Sequence, residues 1–206
     1  MKNKIIIGLT GQTGSGKSSL SSFLSDNGLY VIDCDRVSRA VTDDGSECCR
    51  KLREYFPSCI DEKLHLNRNA LASVVFNDTQ KLELLNELIF PFILSDIRHL
   101  TDNAFNNGFD AVVLDAPTLF ESSADKECSL IISCTADKKV RLERIMKRDG
   151  LTEQQAQARI SSQKSESFYK ESSDIIIENG GGIDSLCRAA DFLALRIKEM
   201  LYGIKH

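Results

Sequence analysis

The sequence has few of the features that mark several classes of protein. It carries 26 basic and 30 acidic residues, a net charge of −4, so no overall positive charge attracts it to nucleic acid or to an anionic membrane. No apolar run approaches the roughly 20 residues that a bilayer-spanning helix needs, and the run that follows Lys4 is too short for a signal peptide. Tryptophan is absent, and no low-complexity linker occurs. We therefore expect a compact protein of one domain, with room for a small insertion and without nucleic-acid or membrane partners.

Cysteine and histidine do not form recognisable clusters. The seven cysteines are odd in number and include no Cys-x-x-Cys pair, which argues against a disulfide framework and a zinc site. The three histidines are scattered and offer no catalytic or metal-binding group. Reduced thiols are typical of the cytoplasm, which is the expected location. We expect a monomer or a weak homo-oligomer.

Five short apolar runs predict the strands of a parallel sheet. Continuous apolar runs separated by helical patterns are typical of strands buried on both faces. The runs cover 5–9, 29–32, 111–114, 130–134 and 175–177. Predicted helices lie at 17–25, from about 37, at 138–147, at 153–164 and at 185–202. The stretch 46–104 has helical periodicity and no convincing strand, which indicates an all-helical insertion between the second and third strands.

The most informative motif follows the first predicted strand. Residues 11–18 match G-x-x-x-x-G-K-[ST], with Gly11, Gln12, Thr13, Gly14, Ser15, Gly16, Lys17 and Ser18. The glycines allow a tight loop whose N–H groups point inward, and the following helix aims its N-terminus at a bound anion. Lys17 is expected to reach the β- and γ-phosphates of ATP, and the Ser18 hydroxyl to ligate Mg²⁺. A chance match in a chain of this length has a probability below about one per cent, so a Gly-rich turn with a stray lysine is the weaker alternative.

Acidic residues follow two further strands. Asp33 and Asp35 come directly after the second run, and Asp115 ends the third. The carboxyl ends of parallel strands share one edge with the phosphate loop, so these side chains are expected near the γ-phosphate. Asp33 is a candidate general base for a hydroxyl acceptor, with the capping of the next helix as an equal alternative. Asp115 has the position of a Walker B aspartate that holds Mg²⁺.

An arginine-rich segment predicts a lid. Arg141, Arg144 and Arg148 lie at i, i+3 and i+7 on one helical face, which can clamp phosphate charge in the transition state. The Asp149-Gly150 break then allows two helices to hinge over the site. The alternative is a solvated face that pairs with Glu143 and Glu153.

Taken together, these motifs resemble the dephospho-CoA kinase family along nearly the whole chain. The quoted segments are Gly11…Gly14-Ser15-Gly16-Lys17-Ser18, Val31-Ile32-Asp33-Cys34-Asp35, Leu66-Asn67-Arg68…Leu71, Val112-Val113-Leu114-Asp115-Ala116-Pro117-Thr118-Leu119-Phe120-Glu121, Arg141…Arg144…Arg148-Asp149-Gly150-Leu151, Arg159-Ile160…Gln163 and Asp174…Ile177…Asn179-Gly180. The Val-Ile-Asp-x-Asp and Asp-x-Pro-x-Leu-Phe-Glu segments are more particular to that family than the phosphate loop, which many families share.

The resemblance implies ATP-dependent phosphorylation of the ribose 3′-hydroxyl of dephospho-CoA. It implies an α/β fold of the P-loop nucleoside triphosphate hydrolase type, with a parallel five-stranded sheet flanked by helices, an all-helical insertion and a helical lid. The nucleotide-binding core is expected at 1–36 and 108–206, the lid at about 141–165, and the acceptor-binding insertion at 37–107. Asp33 would be the catalytic base beside Lys17, with Asp35 and Arg68 in the acceptor site. Arg141 would approach the nucleotide, and Arg148 would act in catalysis.

The sequence departs from the family's usual pattern in two places. Gln12 and Thr13 replace Gly-Ile in the loop, at positions that the motif leaves free. Phe90 stands before Pro91 where the family usually has a histidine, and phenylalanine cannot donate the same hydrogen bond.

Three other function classes share part of this pattern. Another small-molecule kinase, for a nucleoside or nucleotide, has the same loop and lid and differs in its acceptor. A GTPase switch needs an Asn-Lys-x-Asp motif, which this sequence lacks. A non-catalytic nucleotide-binding module would bind ATP without needing Asp33 as a base.

Overall fold

The computed structural model describes residues 4–76, 78–180 and 182–202, and its strands form one five-stranded sheet. The strands are β1 (Ile5–Gly11), β2 (Tyr30–Asp33), β3 (Ala111–Asp115), β4 (Leu130–Thr135) and β5 (Ile175–Glu178), in the order β2-β3-β1-β4-β5. β1 pairs in parallel with β3 and β4, with Leu9 opposite Asp115 and Gly11 opposite Cys134. The parallel sheet that the apolar runs predict is therefore confirmed, and β1 lies at its centre.

The core of the sheet explains the unbroken apolar runs. Ile7, Leu9 and Ile132 are fully buried, because helices cover the strands and leave no face for polar residues. The covering helices include α1 (Lys17–Asp26) and α9 (Ile183–Tyr202), whose buried residues join the same core. The core comprises Ile5, Ile7, Leu9, Leu20, Leu24, Leu29, Ala111, Val113, Leu130, Ile132, Cys134, Leu186, Ala190, Leu193, Ile197 and Leu201.

Three helices lie between β4 and β5. These are α6 (Lys138–Asp149), α7 (Glu153–Ser161) and α8 (Glu166–Glu171). α6 and α7 pack through Ile145, Ala156 and Ile160. The sequence predicts the first two but extends the second to residue 164, and it misses α8. A helix of six residues is too short to show an apolar period, although Ser165 caps its N-terminus by accepting a hydrogen bond from Phe168 N.

The chain divides into two compact units, and the second, Asp33–Asp102, has its own helical core. It contains α2 (Cys34–Ala40), α3 (Glu47–Tyr55), α4 (Arg68–Val75) and most of α5 (Thr79–Asn106). Its buried residues are Cys48, Leu52, Phe56, Cys59, Ile60, Leu71 and Val75. Its boundaries differ by four and five residues from the predicted insertion at 37–107. An isolated antiparallel bridge joins Ile60 to Leu66, in a region where the sequence predicts helices alone.

The first unit, Met1–Ile32 with Asn103–His206, contains the sheet and the phosphate loop. Within the described ranges of both units, no helix combines the length and the apolar character needed to cross a membrane.

Candidate active site

The phosphate loop runs from the end of β1 to the first turn of α1, and its glycines are required by its backbone. Gly11 has φ +147° and Gly16 has φ +101°, values that other residues rarely adopt. A Cβ atom at Gly11 would overlap the carbonyl oxygen of Cys134, and one at Gly16 would overlap Nδ2 of Asn179. The two fixed glycines of the motif are therefore needed for conformation and for space.

The loop presents a set of backbone N–H groups to a ligand. Ser15 N donates to Gln12 O at 3.1 Å, which closes a tight turn inside the loop. Within the described residues, the N–H groups of Gly14, Gly16, Lys17 and Ser18 have no hydrogen-bond acceptor. Because the last two lie in the first turn of α1, the helix dipole adds positive potential at the same place. This arrangement is suited to binding a phosphate group.

Lys17, the first residue of α1, contacts Asp115, the last residue of β3. Lys17 Nζ donates a hydrogen bond to Asp115 Oδ1, and the side chains are 14% and 13% exposed. Asp115 is the last residue of β3, and Ser18 lies in the first turn of α1. Carboxylate and hydroxyl oxygens are the ligands that Mg²⁺ prefers, so Asp115 and Ser18 are suited to the metal. No group of three or more acidic, cysteine or histidine residues within the described ranges forms a metal site of its own.

Three further side chains contact the loop. The sequence places Arg144 on the phosphate-clamping helical face, and it gives Asn179 and Gln163 no role. Arg144 NH1 donates to Gly14 O at 3.2 Å and to Ser15 O at 3.3 Å. Asn179 Nδ2 donates to Ser15 O at 2.7 Å. Gln163 Oε1 accepts a hydrogen bond from Thr13 N at 2.9 Å. All three stand in segments that resemble the family, but spacing along the chain does not indicate these contacts to backbone carbonyl and N–H groups.

The two arginines assigned to the predicted lid differ in environment. Arg141 is 4% exposed, its Nε donates to Ala136 O at 3.1 Å, and its burial lowers the pKa of the guanidinium. Its NH1 atom is buried and has no hydrogen-bond partner among the described residues. Arg148 is exposed and forms a two-point contact with Asp149, at 2.7 and 2.8 Å. Their roles with the nucleotide therefore stay predictions.

The carboxylate of Asp149 accepts hydrogen bonds from arginines of two helices, α6 and α7. Arg159 NH1 of α7 donates at 2.8 Å. The hydrogen bond from Arg148 lowers the pKa of Asp149, and Asp149 in turn raises the pKa of Arg148. For the helical face that carries Arg148, the sequence offers Glu143 and Glu153 as pairing partners. In the structure, Arg148 and Arg159 contact the carboxylate of Asp149.

The candidate acceptor residues belong to the second unit. Asp33 is the N-cap of α2 and accepts a hydrogen bond from Arg36 N at 3.0 Å, so the capping role is confirmed. Asp35 lies in the first turn of the same helix. Arg68 donates to Thr42 Oγ1 at 2.8 Å and to Arg39 O at 3.1 Å, which ties α4 to the end of α2. Phe90 is half-buried within α5.

Comparison with known proteins identifies the family. The family model described as dephospho-CoA kinase matches residues 5–185. A dephospho-CoA kinase of Oryza sativa subsp. japonica is 35% identical over 180 residues, which cover 87% of this chain and 78% of that protein. One of Fusobacterium nucleatum is 30% identical over 187 residues, covering 91% and 95%.

Solved structures agree on the architecture. A crystal structure from Thermus thermophilus superposes with a TM-score of 0.79 and 29% identity, covering 95% of this chain and 99% of that one. A dephospho-CoA kinase from Campylobacter jejuni, at 21% identity and a TM-score of 0.61, shares the fold over 97% and 99% of the two chains. Phosphate loop, sheet and family match all agree, and this chain belongs to the dephospho-CoA kinase family.

Proposed function

We propose that this enzyme transfers the γ-phosphoryl group of ATP to the ribose 3′-hydroxyl of dephospho-CoA and forms ADP and CoA. The observation that carries the donor half of the proposal is the set of acceptor-free N–H groups at Gly14, Gly16, Lys17 and Ser18. The family match carries the acceptor half, because the relatives named above are dephospho-CoA kinases.

The phosphate loop would hold the donor. Its backbone N–H groups would bind the β-phosphate, and Lys17 would leave Asp115 to meet the β- and γ-phosphates. Ser18 and Asp115 would hold Mg²⁺, which neutralises phosphate charge when bound. Gln12 and Thr13 would bind the nucleotide as part of the same loop. Arg141 and Arg148 would approach the polyphosphate and add positive charge there.

Asp33 would be the general base. The 3′-oxygen attacks the γ-phosphorus, the bond from that phosphorus to the β,γ-bridging oxygen breaks, and the hydroxyl proton passes to the Asp33 carboxylate. Oδ1 caps α2, and among the described residues Oδ2 has no hydrogen-bond partner, so one carboxylate can serve both purposes. Asp33 is exposed, so a substrate hydroxyl can reach its carboxylate.

The second unit would bind the acceptor. Asp35 would lie beside the base, and Arg68, whose guanidinium is held by Thr42 and Arg39, would contact an anionic part of dephospho-CoA. Phe90 removes the hydrogen bond that a histidine would provide, so binding must rely on other contacts. We also propose that the enzyme works in the cytoplasm, as a monomer or a weak homo-oligomer, without a nucleic-acid or membrane partner.

A panel of acceptors tests the proposal. The purified chain is incubated with ATP and Mg²⁺, and ADP release is measured with dephospho-CoA, adenosine, CMP, shikimate and gluconate in parallel. We expect ADP release with dephospho-CoA. Mass spectrometry should detect a product that is heavier than dephospho-CoA by one phosphoryl group and is identical to CoA. Lys17→Met is the control for contaminating kinases. ADP release with a nucleoside or nucleotide, and none with dephospho-CoA, would overturn the assignment in favour of another small-molecule kinase.

A further inference from the structure

The carbonyl oxygen of Ser15 accepts hydrogen bonds from three side chains. The donors are Asn179 Nδ2 at 2.7 Å, Arg144 NH1 at 3.3 Å and Cys134 Sγ at 3.4 Å. The neighbouring carbonyl of Gly14 receives Arg144 NH1 at 3.2 Å. Three separate elements, β4, α6 and the segment after β5, therefore converge on two consecutive peptides of the phosphate loop.

These donors are themselves held in place. Asn179 is 2% exposed, its N–H donates to Thr135 O at 2.8 Å, and its own carbonyl accepts Arg144 NH2 at 3.5 Å. The Nδ2 atom lies so close to Gly16 that a Cβ atom there would overlap it. The amide of Asn179 thus fills the space behind the loop, and its orientation follows from β5, which ends one residue earlier.

Because the peptide bond is planar, the contacts of the Ser15 carbonyl also fix the direction of the Gly16 N–H on the opposite side of the peptide. In a trans peptide the C=O and N–H point in opposite directions. With the Ser15 carbonyl directed at Asn179 and Arg144, the Gly16 N–H is directed away from them, and it is one of the N–H groups without a protein acceptor. A donor on the carbonyl also polarises the amide, and a charged donor does so more strongly, so the opposite N–H becomes a stronger hydrogen-bond donor.

We propose that Asn179 and Arg144 are positioning residues that orient and polarise the Ser15–Gly16 peptide for binding the phosphates of the nucleotide. They act through the backbone and do not touch the phosphate themselves. The inference deepens the proposed function, because it rests on a nucleoside triphosphate as donor. It does not depend on which acceptor the enzyme uses.

Two variants remove the contacts with little change in shape. Asn179→Asp keeps the size of the side chain but replaces the Nδ2 donor with an acceptor that opposes the Ser15 carbonyl. Arg144→Met removes the charged donor while keeping an apolar stem. Asn107→Asp and Arg196→Met are matched controls: Asn107 also donates to a backbone carbonyl, Asn103 O at 2.7 Å, but is exposed, and Arg196 makes an exposed ion pair with Glu199.

Calorimetric titration with ATP, ADP and AMP, without acceptor, separates the outcomes. We expect each variant to weaken ATP and ADP binding by about tenfold, with AMP binding nearly unchanged, because the loss concerns the β-phosphate. In turnover assays KM for ATP should rise more than kcat falls, since the contact is made in the ground state and in the transition state alike. Both controls should bind all three nucleotides as the wild type does.

A pH series adds a readout that a purely structural defect would not change. Burial and the Ser15 carbonyl raise the pKa of a carboxyl at position 179, and the Arg144 guanidinium, which contacts the backbone carbonyl of Asn179, opposes that rise. Once protonated, the carboxyl can donate to the Ser15 carbonyl. ATP affinity of Asn179→Asp should therefore recover as the pH falls from 8 to 5.5, relative to the wild type. If that variant does not fold, Arg144→Met and Arg144→Lys decide the question.

The inference is overturned if folded variants bind ATP like the wild type, or lose AMP binding to the same degree as ATP binding. Failure of the wild type to use dephospho-CoA while it still binds ATP would instead count against the proposed function alone.

Discussion

Lys17 Nζ donates a hydrogen bond to the carboxylate of Asp115, a residue 98 positions further along the chain. The contact joins the lysine of the phosphate loop to the acid at the end of the adjacent strand, and both side chains are mostly buried. A desolvated ion pair of this kind is costly to break unless both partners receive new ones. A phosphate for Lys17 and a divalent cation for Asp115 provide such partners together, which favours joint binding of nucleotide and metal.

Asp115→Asn tests the metal half of that exchange. The amide is a weaker ligand than the carboxylate, so the Mg²⁺ concentration for half-maximal activity should rise about 10- to 100-fold. The measurement is ADP release as a function of Mg²⁺ at saturating ATP and dephospho-CoA. Asp26→Asn, at the exposed far end of α1, is the control and should leave the curve unchanged. An unaltered Mg²⁺ dependence in Asp115→Asn would reduce Asp115 to a structural partner of Lys17.

Asp33→Asn separates the base from the cap. Asparagine caps a helix about as well as aspartate, so the hydrogen bond from Arg36 N can persist while the proton acceptor is lost. We expect kcat to fall by about 10²- to 10⁴-fold, with ATP affinity within twofold of the wild type. Single-turnover kinetics and calorimetry measure the two quantities.

The control for this substitution is Asp78→Asn. Asp78 Oδ1 accepts a hydrogen bond from Lys81 N near the start of α5, so it makes the same kind of local contact in the same unit. Its turnover should stay close to that of the wild type. If Asp33→Asn also retains turnover within a few-fold, Asp33 serves only as the helix cap, and another group takes the proton.

The strands were predictable because their signal is local and repeated. Each of the five apolar runs marks a strand, with Leu29 alone lying one residue before its strand, and the loop that follows β1 could be identified from eight residues. Errors concentrate where the pattern is short: α8 has six residues, and α2 begins at Cys34 rather than near 37 because Asp33 caps it. Helix ends depend on single side-chain hydrogen bonds, which composition indicates only weakly.

The surroundings of the phosphate loop could not be read from the sequence in the same way. The pattern placed Arg144 on a cationic helical face, yet its guanidinium contacts the carbonyls of Gly14 and Ser15. Arg141, on the same face by spacing, is buried instead. Periodicity gives the direction of a side chain around its helix, but the partner depends on which element packs there, and that is a property of the tertiary fold.

Arg148 offers a sharp test of the lid hypothesis, because Arg159 shares its partner. Both guanidinium groups contact Asp149, one from α6 and one from α7. If Arg148 contacts the transferring phosphoryl group, Arg148→Met should lower kcat by about 10²- to 10³-fold, and Arg159→Met should lower it much less. Arg148→Lys should restore little, because lysine lacks the planar two-point geometry. Equal and small effects of the two Met variants on kcat would show that both arginines only stabilise the structure through Asp149.

The thiol of Cys128 is expected to lower the free energy of unfolding in alkaline solution. Burial, with smaller effects from Asp125 and Glu127, raises the pKa of its thiol to about 12 from an ordinary value of 9.0. Between these values the unfolded chain ionises the thiol and the folded chain does not. The unfolded state therefore binds fewer protons, and the free energy of unfolding falls as the pH rises, by at most about 1.4 kcal/mol per pH unit from this group.

Cys128→Ala removes this contribution. Urea unfolding at pH 8 and pH 10.5 should show a smaller drop in the free energy of unfolding for the variant than for the wild type. The variant also loses the hydrogen bond from Sγ to Ala124 O, so its absolute stability at pH 8 should be lower, and only the difference between the two pH values is diagnostic. Cys187→Ala, at a half-buried position of α9, is the control and should keep the drop of the wild type. An identical drop in Cys128→Ala would show that the thiol ionises in the folded chain as readily as in the unfolded one.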